Sequence, residues 1–279
     1  MRDSDIKGAC VAVGFFDGVH LGHQAILDGA DIALTFANHP LSLLAPARAP
    51  RLIMTPADRI AAIGACGVGE VVPLEFTREL AGLPPEEFAA RLVGARRVRC
   101  GENWRFGKGG TGDAALLRRM GIEVSVVPYA EREGERISST RIRAAIESGD
   151  IPAANAMLGR PFEIAGTRFA GKGLGSTIGR PTVNLSVGSP GDPPMVRPPN
   201  GVYEVEVDGS RGVANYGFAP TMGELAWERP VLEVHFAGPV PVGRQLRVGL
   251  LRFIRAERKF GSVEELARQI AADCAIIGV

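Results

Sequence analysis

Val11-Ala12-Val13-Gly14-Phe15-Phe16-Asp17-Gly18-Val19-His20-Leu21-Gly22-His23-Gln24-Ala25-Ile26-Leu27 is the stretch whose reading decides the fold. The apolar run from Cys10 to Gly14 reads as a strand buried on both faces. Gly14, Asp17, Gly18 and Gly22 then break the chain into a tight turn. Gln24 to Leu27 reads as the body of a short helix that stops near Asp28-Gly29. His20 and His23, three apart at its start, share a face if the turn there is helical. Strand, glycine turn and helix start together make an anion site, because free N–H groups and the positive dipole end converge there. Two imidazoles in that place suit a triphosphate better than a metal, since no third ligand stands nearby.

The following segments repeat the alternation. Ile32–Phe36 is a second apolar run, expected to lie parallel to the first. The loop Thr35-Phe36-Ala37-Asn38-His39-Pro40 falls at its carboxyl end, where α/β sheets bind ligands. Arg51–Ala65 reads as a turn and an amphipathic helix with Ile60, Ile63 and the alanines facing inward. Val68–Leu74, Val98–Gly101 and Ile122–Val127 are further strand candidates, and Pro84–Val93 carries a helix-start signal. After Gly101 comes Glu102-Asn103-Trp104-Arg105-Phe106-Gly107. Asn103 there suits a phosphate or a ribose, and Trp104 and Phe106 either flank a flat ring or pack the core. Lys108–Gly112 is donor-rich but unspecific. Ile137-Ser138-Ser139-Thr140-Arg141-Ile142-Arg143 opens a helix, capped by Ser138 or Ser139. Hydroxyls and N–H groups at a helix start, followed by Arg143, make a clamp for phosphates. The alternation predicts a doubly wound parallel α/β domain over residues 1–145.

Residues 146–161 read as a helical connector, and beyond them the texture changes. Short strand candidates recur among frequent Gly and Pro: Phe162–Arg168, Gly201–Val207, Gly212–Tyr216, Val231–Phe236 and Gln245–Ile254. That spacing predicts an antiparallel β-barrel, with a sandwich as the alternative, over 162–279. Ser262–Ile277 shows a capping pattern and a helical apolar period, so a C-terminal helix closes the chain.

Composition narrows the class. The net charge of +1 over 279 residues argues against bulk nucleic-acid binding but leaves nucleotide binding open. Cys10, Cys66, Cys100 and Cys274 are far apart, which suggests neither a zinc site nor a disulfide framework. The charged start MRDSDIKGA lacks a secretory apolar region, and no apolar run is long enough to span a membrane. The expectation is a cytoplasmic protein with no nucleic-acid or membrane partner, a monomer or weak oligomer.

G-F-F-D-G-V-H-L-G-H, residues 14–23, resembles the G-x-F-D-G-x-H-x-G-H signature of the bacterial bifunctional riboflavin kinase/FAD synthetase family. The resemblance continues in the family's order. Residues 35–40 are similar to T-F-x-P-H-P with Asn38 for proline, 101–107 to G-E-N/D-F-R-F-G, and 137–143 to I-S-S-T-x-I-R. In the second half, 171–184 resembles the kinase glycine segment ending in P-T-A-N, with Ser176 for arginine and Arg180 for an aromatic or aliphatic residue. Pro199–Tyr203, Asn215–Thr221, Glu233-Val234-His235 and the Arg255–Phe260 run R-x-E-x-x-F also look like kinase segments.

The resemblance implies two reactions: ATP-dependent phosphorylation of riboflavin to FMN, then adenylylation of FMN to FAD. It implies catalytic roles for His20, His23, Arg143 and Glu233, with Glu233 as the base for the ribityl hydroxyl. Gly14, Phe15, Asp17, Gly22, Asn103, Ser139 and Thr140 are implied at ATP or phosphate in the first half, and Gly171, Gly173, Gly175 and Thr177 in the second. His39, Phe106, Arg255, Glu257 and Phe260 are implied at the flavin, and Thr182 and Asn184 at Mg²⁺. The family usually carries a longer first helix than the one read here. The rival readings are an enzyme with one live activity and a flavin-binding regulator that has lost catalysis.

Overall fold

The computed structural model describes residues 6–170, 182–218, 230–236 and 240–278. The glycine segment with Gly171, Gly173, Gly175, Ser176, Thr177 and Arg180 lies outside the described residues, as do Pro220 and Thr221. Contacts divide the chain into two units, Met1–Thr140 with Pro193–Met195 and Arg141–Asp192 with Val196–Val279.

The first unit is built on five parallel strands: β1 (Cys10–Val13), β2 (Ile32–Phe36), β3 (Glu70–Leu74), β4 (Arg97–Gly101) and β5 (Val124–Val127). Their order is β3-β2-β1-β4-β5, every pair parallel. The helices between them are α1 (Leu21–Leu27), α2 (Pro40–Leu44), α3 (Pro56–Gly64), α4 (Arg78–Gly82), α5 (Pro85–Ala90) and α6 (Ala114–Arg119). Strand β1 alternates between two cores, as a strand covered on both faces must. Val11 and Val13 pack with Phe88, Leu92 and Leu117 on one side, and Ala12 packs with Leu27 and Ile63 on the other. The order reverses at β1, so the segments after β1 and β4 flank the crevice where such sheets bind ligands. Helix α4 goes beyond the sequence reading; Thr77 starts it by accepting from the Leu80 N–H. A short hairpin of β6 (Glu131–Arg132) and β7 (Glu135–Arg136) leads to α7 (Ser139–Ser148).

The connector is the end of α7 followed by α8 (Ile151–Leu158), capped by Asp150 and closed by left-handed Gly159. Among the described residues, the second unit is a closed barrel of six antiparallel strands rather than a sandwich. They are β8 (Phe162–Phe169), β9 (Thr182–Val187), β10 (Gly201–Val207), β11 (Ser210–Gly217), β12 (Val231–Phe236) and β13 (Gln245–Ala256). The barrel order is β10-β11-β12-β9-β8-β13. Strand β9 is an addition to the sequence reading, which takes Thr182 and Asn184 only as the end of the glycine segment. Val183, Leu185, Leu232, Val234, Ala214 and Tyr216 are buried, and the residues between them face the other way. The C-terminal helix, Val263–Ile276, packs Ile270, Cys274 and the following Ile277 against Val202 and Val213.

Candidate functional site

The turn after β1 is held in an unusual backbone. Phe16 (φ 58°) and Val19 (φ 41°) are both left-handed and buried, a conformation that persists only when the surroundings fix it. Gly14 is required by packing, since a Cβ there would stand 2.8 Å from the Phe16 ring. Thr35 on β2 donates its hydroxyl to the Phe15 carbonyl at 3.1 Å. Asp17 is 2% exposed, and its carboxylate accepts from the backbone N–H groups of Ile53 (3.0 Å) and Met54 (3.4 Å). The carboxylate thereby ties the histidine turn to the loop before α3.

His20 caps α1, and its Nδ1 accepts from the His23 N–H at 3.2 Å. In the neutral ring the proton is therefore on Nε2. The two imidazoles stack with centroids 3.5 Å apart and planes 16° from parallel. A Cβ on Gly22 would come within 3.2 Å of His20 Cε1, so the glycine leaves room for that ring. Burial, then the neighbouring His20, then Arg59 hold His23 well below the usual imidazole range. The neutral ring is favoured at His23, so toward a phosphate it offers hydrogen bonding. The seven-residue α1 is anchored from β4, where Arg99 donates to the carbonyls of Ala25 (2.8 Å) and Ile26 (2.9 Å) at its end.

Two further segments close on this turn. The Ser139 hydroxyl donates to the Asp17 carbonyl at 2.9 Å, bringing the start of α7 against the histidine turn. Thr140 is next in α7, and Arg143 lies on the same face as Ser139, four residues on. His39 caps α2 by accepting from the Leu41 N–H, and its ring meets Phe15 edge-on at 4.7 Å. Asn38, where the family pattern has proline, makes two bonds to the backbone of Phe76, at 2.8 and 3.1 Å. A side-chain clamp thus fixes a loop that proline would stiffen. Asn103 is exposed just past β4. Phe106 belongs to the core: it packs at 4.6 Å from Trp104 and 5.2 Å from Phe88 and is 6% exposed.

Arg59 is a residue the sequence reading passed over. It is wholly buried on α3, its Nη2 donates to the carbonyls of Phe36 and Ala37, and its guanidinium lies 3.9 Å from the Phe15 centroid. The available signal was its spacing, one turn before buried Ile63 on the apolar face.

In the barrel, Glu233 pairs in register with Asn184 on β9 and with Asn215 on β11. The three therefore share one face. On the same face His235 lies opposite Thr182, and Thr182 Oγ1 stands 3.0 Å from His235 Nδ1. Burial pushes the Glu233 carboxyl upward. Asn215 also donates to Glu257 at 3.0 Å. Arg255 is committed elsewhere: its Nη2 and Nε reach the Asp273 carboxylate on the C-terminal helix at 2.7 and 3.0 Å, and Asp273 is 1% exposed. That pair ties β13 to the C-terminal helix. Phe260 lies under the Arg258 guanidinium at 4.7 Å. Among the described residues, no group of three or more His, Cys, Asp and Glu side chains is arranged to hold a metal ion.

Comparison with known proteins matches both units. Residues 2–141 match the family model for FAD synthetase, and residues 158–278 that for riboflavin kinase. The bifunctional riboflavin kinase/FMN adenylyltransferase of Escherichia coli K12 is 36% identical, covering 96% of this chain and 91% of that protein. Its namesake in Bacillus subtilis is 32% identical over 94% of this chain and 89% of its own length. The crystal structure of a macrolide-efflux protein from Streptococcus pneumoniae superposes with a TM-score of 0.79 at 30% identity, covering 99% of this chain and 96% of that one. That name differs from those of the curated relatives. The two family models, matched in order along the chain, decide between them.

Proposed function

The chain belongs to the bifunctional riboflavin kinase/FMN adenylyltransferase family, and from that premise we propose how its residues divide the two reactions. The enzyme phosphorylates riboflavin to FMN with ATP and then transfers AMP from a second ATP to FMN, releasing pyrophosphate.

We assign adenylylation to residues 1–145. An FMN phosphate oxygen attacks the α-phosphorus of ATP as the bond to the β-phosphate breaks, so no protein nucleophile is needed. The protein's work is alignment and stabilisation of the departing pyrophosphate. Gly14, Phe15 and Gly22 bring backbone close to the triphosphate, and His20 and His23 meet it as hydrogen-bonding imidazoles. Ser139, Thr140 and Arg143 complete the phosphate clamp, Asn103 takes ribose or phosphate, and His39 serves the flavin side. The observation that carries this reading is the Ser139–Asp17 bond, which joins the two phosphate motifs from opposite ends of the unit.

We assign the kinase to residues 162–279. Glu233 accepts the ribityl hydroxyl proton; its raised pKa brings it nearer the working pH, where a general base is most effective. Thr182 and Asn184 fit Mg²⁺ arriving with ATP: both offer hard oxygens on the face that carries Glu233, and Mg²⁺ keeps phosphate and water ligands beside a few from protein. When bound, the ion offsets charge on the transferring phosphates. Gly171, Gly173, Gly175 and Thr177 are assigned to the phosphates by motif, and Glu257 and Phe260 to the flavin. The enzyme is assigned to the cytoplasm as a monomer or weak oligomer, without nucleic-acid or membrane partners. Among the described residues, no helix is long and apolar enough to cross a membrane.

Incubating the purified chain with riboflavin and ATP-Mg²⁺ and separating the flavins tests the reading. FMN rises first and FAD follows. FMN without FAD, or no FMN from riboflavin, overturns it.

A further inference from the structure

Arg59 is 0% exposed, and its Nε and Nη1 have no hydrogen-bond partner among the described residues. Burying a guanidinium with unmatched N–H groups is costly, whereas an aliphatic residue could fill the same face of α3 beside Ile63 without that penalty. The cation makes two specific attachments. Its Nη2 holds the carbonyls of Phe36 and Ala37 at the end of β2, immediately before Asn38 and His39. Its guanidinium carbon lies over the Phe15 ring, 3.9 Å from the centroid, and that ring meets the His39 ring at 4.7 Å on an edge.

We propose that Arg59 is a positioning residue for FMN adenylylation, clamping Phe15 against His39 and fixing the histidine turn to the carboxyl end of β2. The inference rests on the assignment of adenylylation to the first unit. It requires the shape of the guanidinium as well as its charge. A lysine ammonium supplies charge without a planar fork that stacks and donates together. Charge has a second consequence. His20, the cap of α1, and Arg59 on α3 both disfavour the protonated form of His23, while Asp17 on the turn between β1 and α1 interacts with Arg59. Removing the Arg59 charge lets His23 protonate at higher pH.

The test uses the full chain carrying Arg59→Lys, Arg59→Met or His20→Ala with His23→Ala. FMN adenylylation and riboflavin phosphorylation are followed in one preparation across pH. Both Arg59 variants lower the adenylylation kcat by ~10–10²-fold, the scale of a small misplacement of reacting groups, with smaller changes in KM. Riboflavin phosphorylation stays at the parental rate. Arg59→Met moves the acid limb of adenylylation to higher pH, and Arg59→Lys leaves it in place. A folded Arg59 variant that adenylylates within about twofold of the parent overturns the proposal, as does equal loss of both activities or an acid limb identical in Met and Lys variants. If the double histidine variant keeps its adenylylation, the assignment of the reaction to this unit fails, a result distinct from failure at Arg59 alone. Should Arg59→Met not fold, a cycle of Arg59→Lys with Phe15→Leu decides. Losses in kcat that do not add support the clamp, and additive losses overturn it.

Discussion

The Ser139 hydroxyl is hydrogen-bonded to the backbone carbonyl of Asp17 at 2.9 Å, across 122 residues of chain. The carboxylate of the same aspartate holds the Ile53 and Met54 N–H groups. Asp17 is therefore the point where the histidine turn, the loop before α3 and the start of α7 are tied together.

Ser139→Ala removes one neutral hydrogen bond of about 1 kcal/mol, or roughly fivefold if it acts on alignment in the transition state. FMN adenylylation falls by about that factor, and riboflavin phosphorylation is unchanged. Steady-state rates of both reactions in one preparation measure it; an unchanged adenylylation rate contradicts it.

Asp17→Ala leaves backbone N–H groups buried without an acceptor. The first unit loses roughly 1–3 kcal/mol of stability, measured by denaturant unfolding, and the barrel keeps its own transition. Asp17→Asn retains an amide oxygen that accepts, so it recovers part of the loss. Equal stability of the Asn and Ala variants contradicts the acceptor role.

The strand, glycine turn and helix around residues 11–27 were legible because burial on both faces and a Gly-rich turn leave a local pattern. The meeting of Ser139 with Asp17 leaves no periodic trace; only motif order hinted at it. Arg59 was missed because a charged side chain on an amphipathic helix reads as solvent-facing, and its partners are backbone carbonyls invisible to pattern. Phe106 and Arg255 illustrate the converse. An aromatic beside a strand end and an arginine on a barrel strand read as ligand contacts, and the fold adds a packing partner 18 residues away in sequence for each, Phe88 for Phe106 and Asp273 for Arg255. Strand β9 was hidden because its alternation, T-V-N-L-S-V, follows a glycine-rich segment that ends in Arg180-Pro181.

The Arg255–Asp273 pair anchors the C-terminal helix to β13. Asp273→Ala leaves a partly buried guanidinium without its partner and destabilises the barrel by about 3 kcal/mol. Thermal unfolding of the full chain reads this as a loss in the barrel's transition. Arg255→Ala alone leaves the buried carboxylate and costs a similar amount, while riboflavin affinity of the folded fraction is unchanged. A selective loss of riboflavin affinity with normal stability contradicts the anchoring role.

Burial raises the pKa of Glu233, so the protonated form suits the fold better than the charged one. Such a group contributes stability below its unfolded pKa, and that contribution is lost as pH rises through the folded value. Glu233→Gln therefore stabilises the barrel at neutral pH, with the gain disappearing in acid. The acid limb of the parental kinase profile is shifted upward from the ordinary glutamate value. Melting curves of parent and variant from acid to neutral pH check the sign, and a variant less stable than the parent at neutral pH contradicts it.

Separate sites for the two reactions are tested most directly by one comparison of flavin products. Glu233→Gln and the His20→Ala, His23→Ala double variant are each assayed for FMN from riboflavin and for FAD from supplied FMN. Glu233→Gln loses about 10²-fold or more in phosphorylation and keeps adenylylation, while the histidine variant does the reverse. A folded variant that loses both activities equally, or a Glu233→Gln enzyme that phosphorylates riboflavin within a few-fold of the parent, contradicts the account.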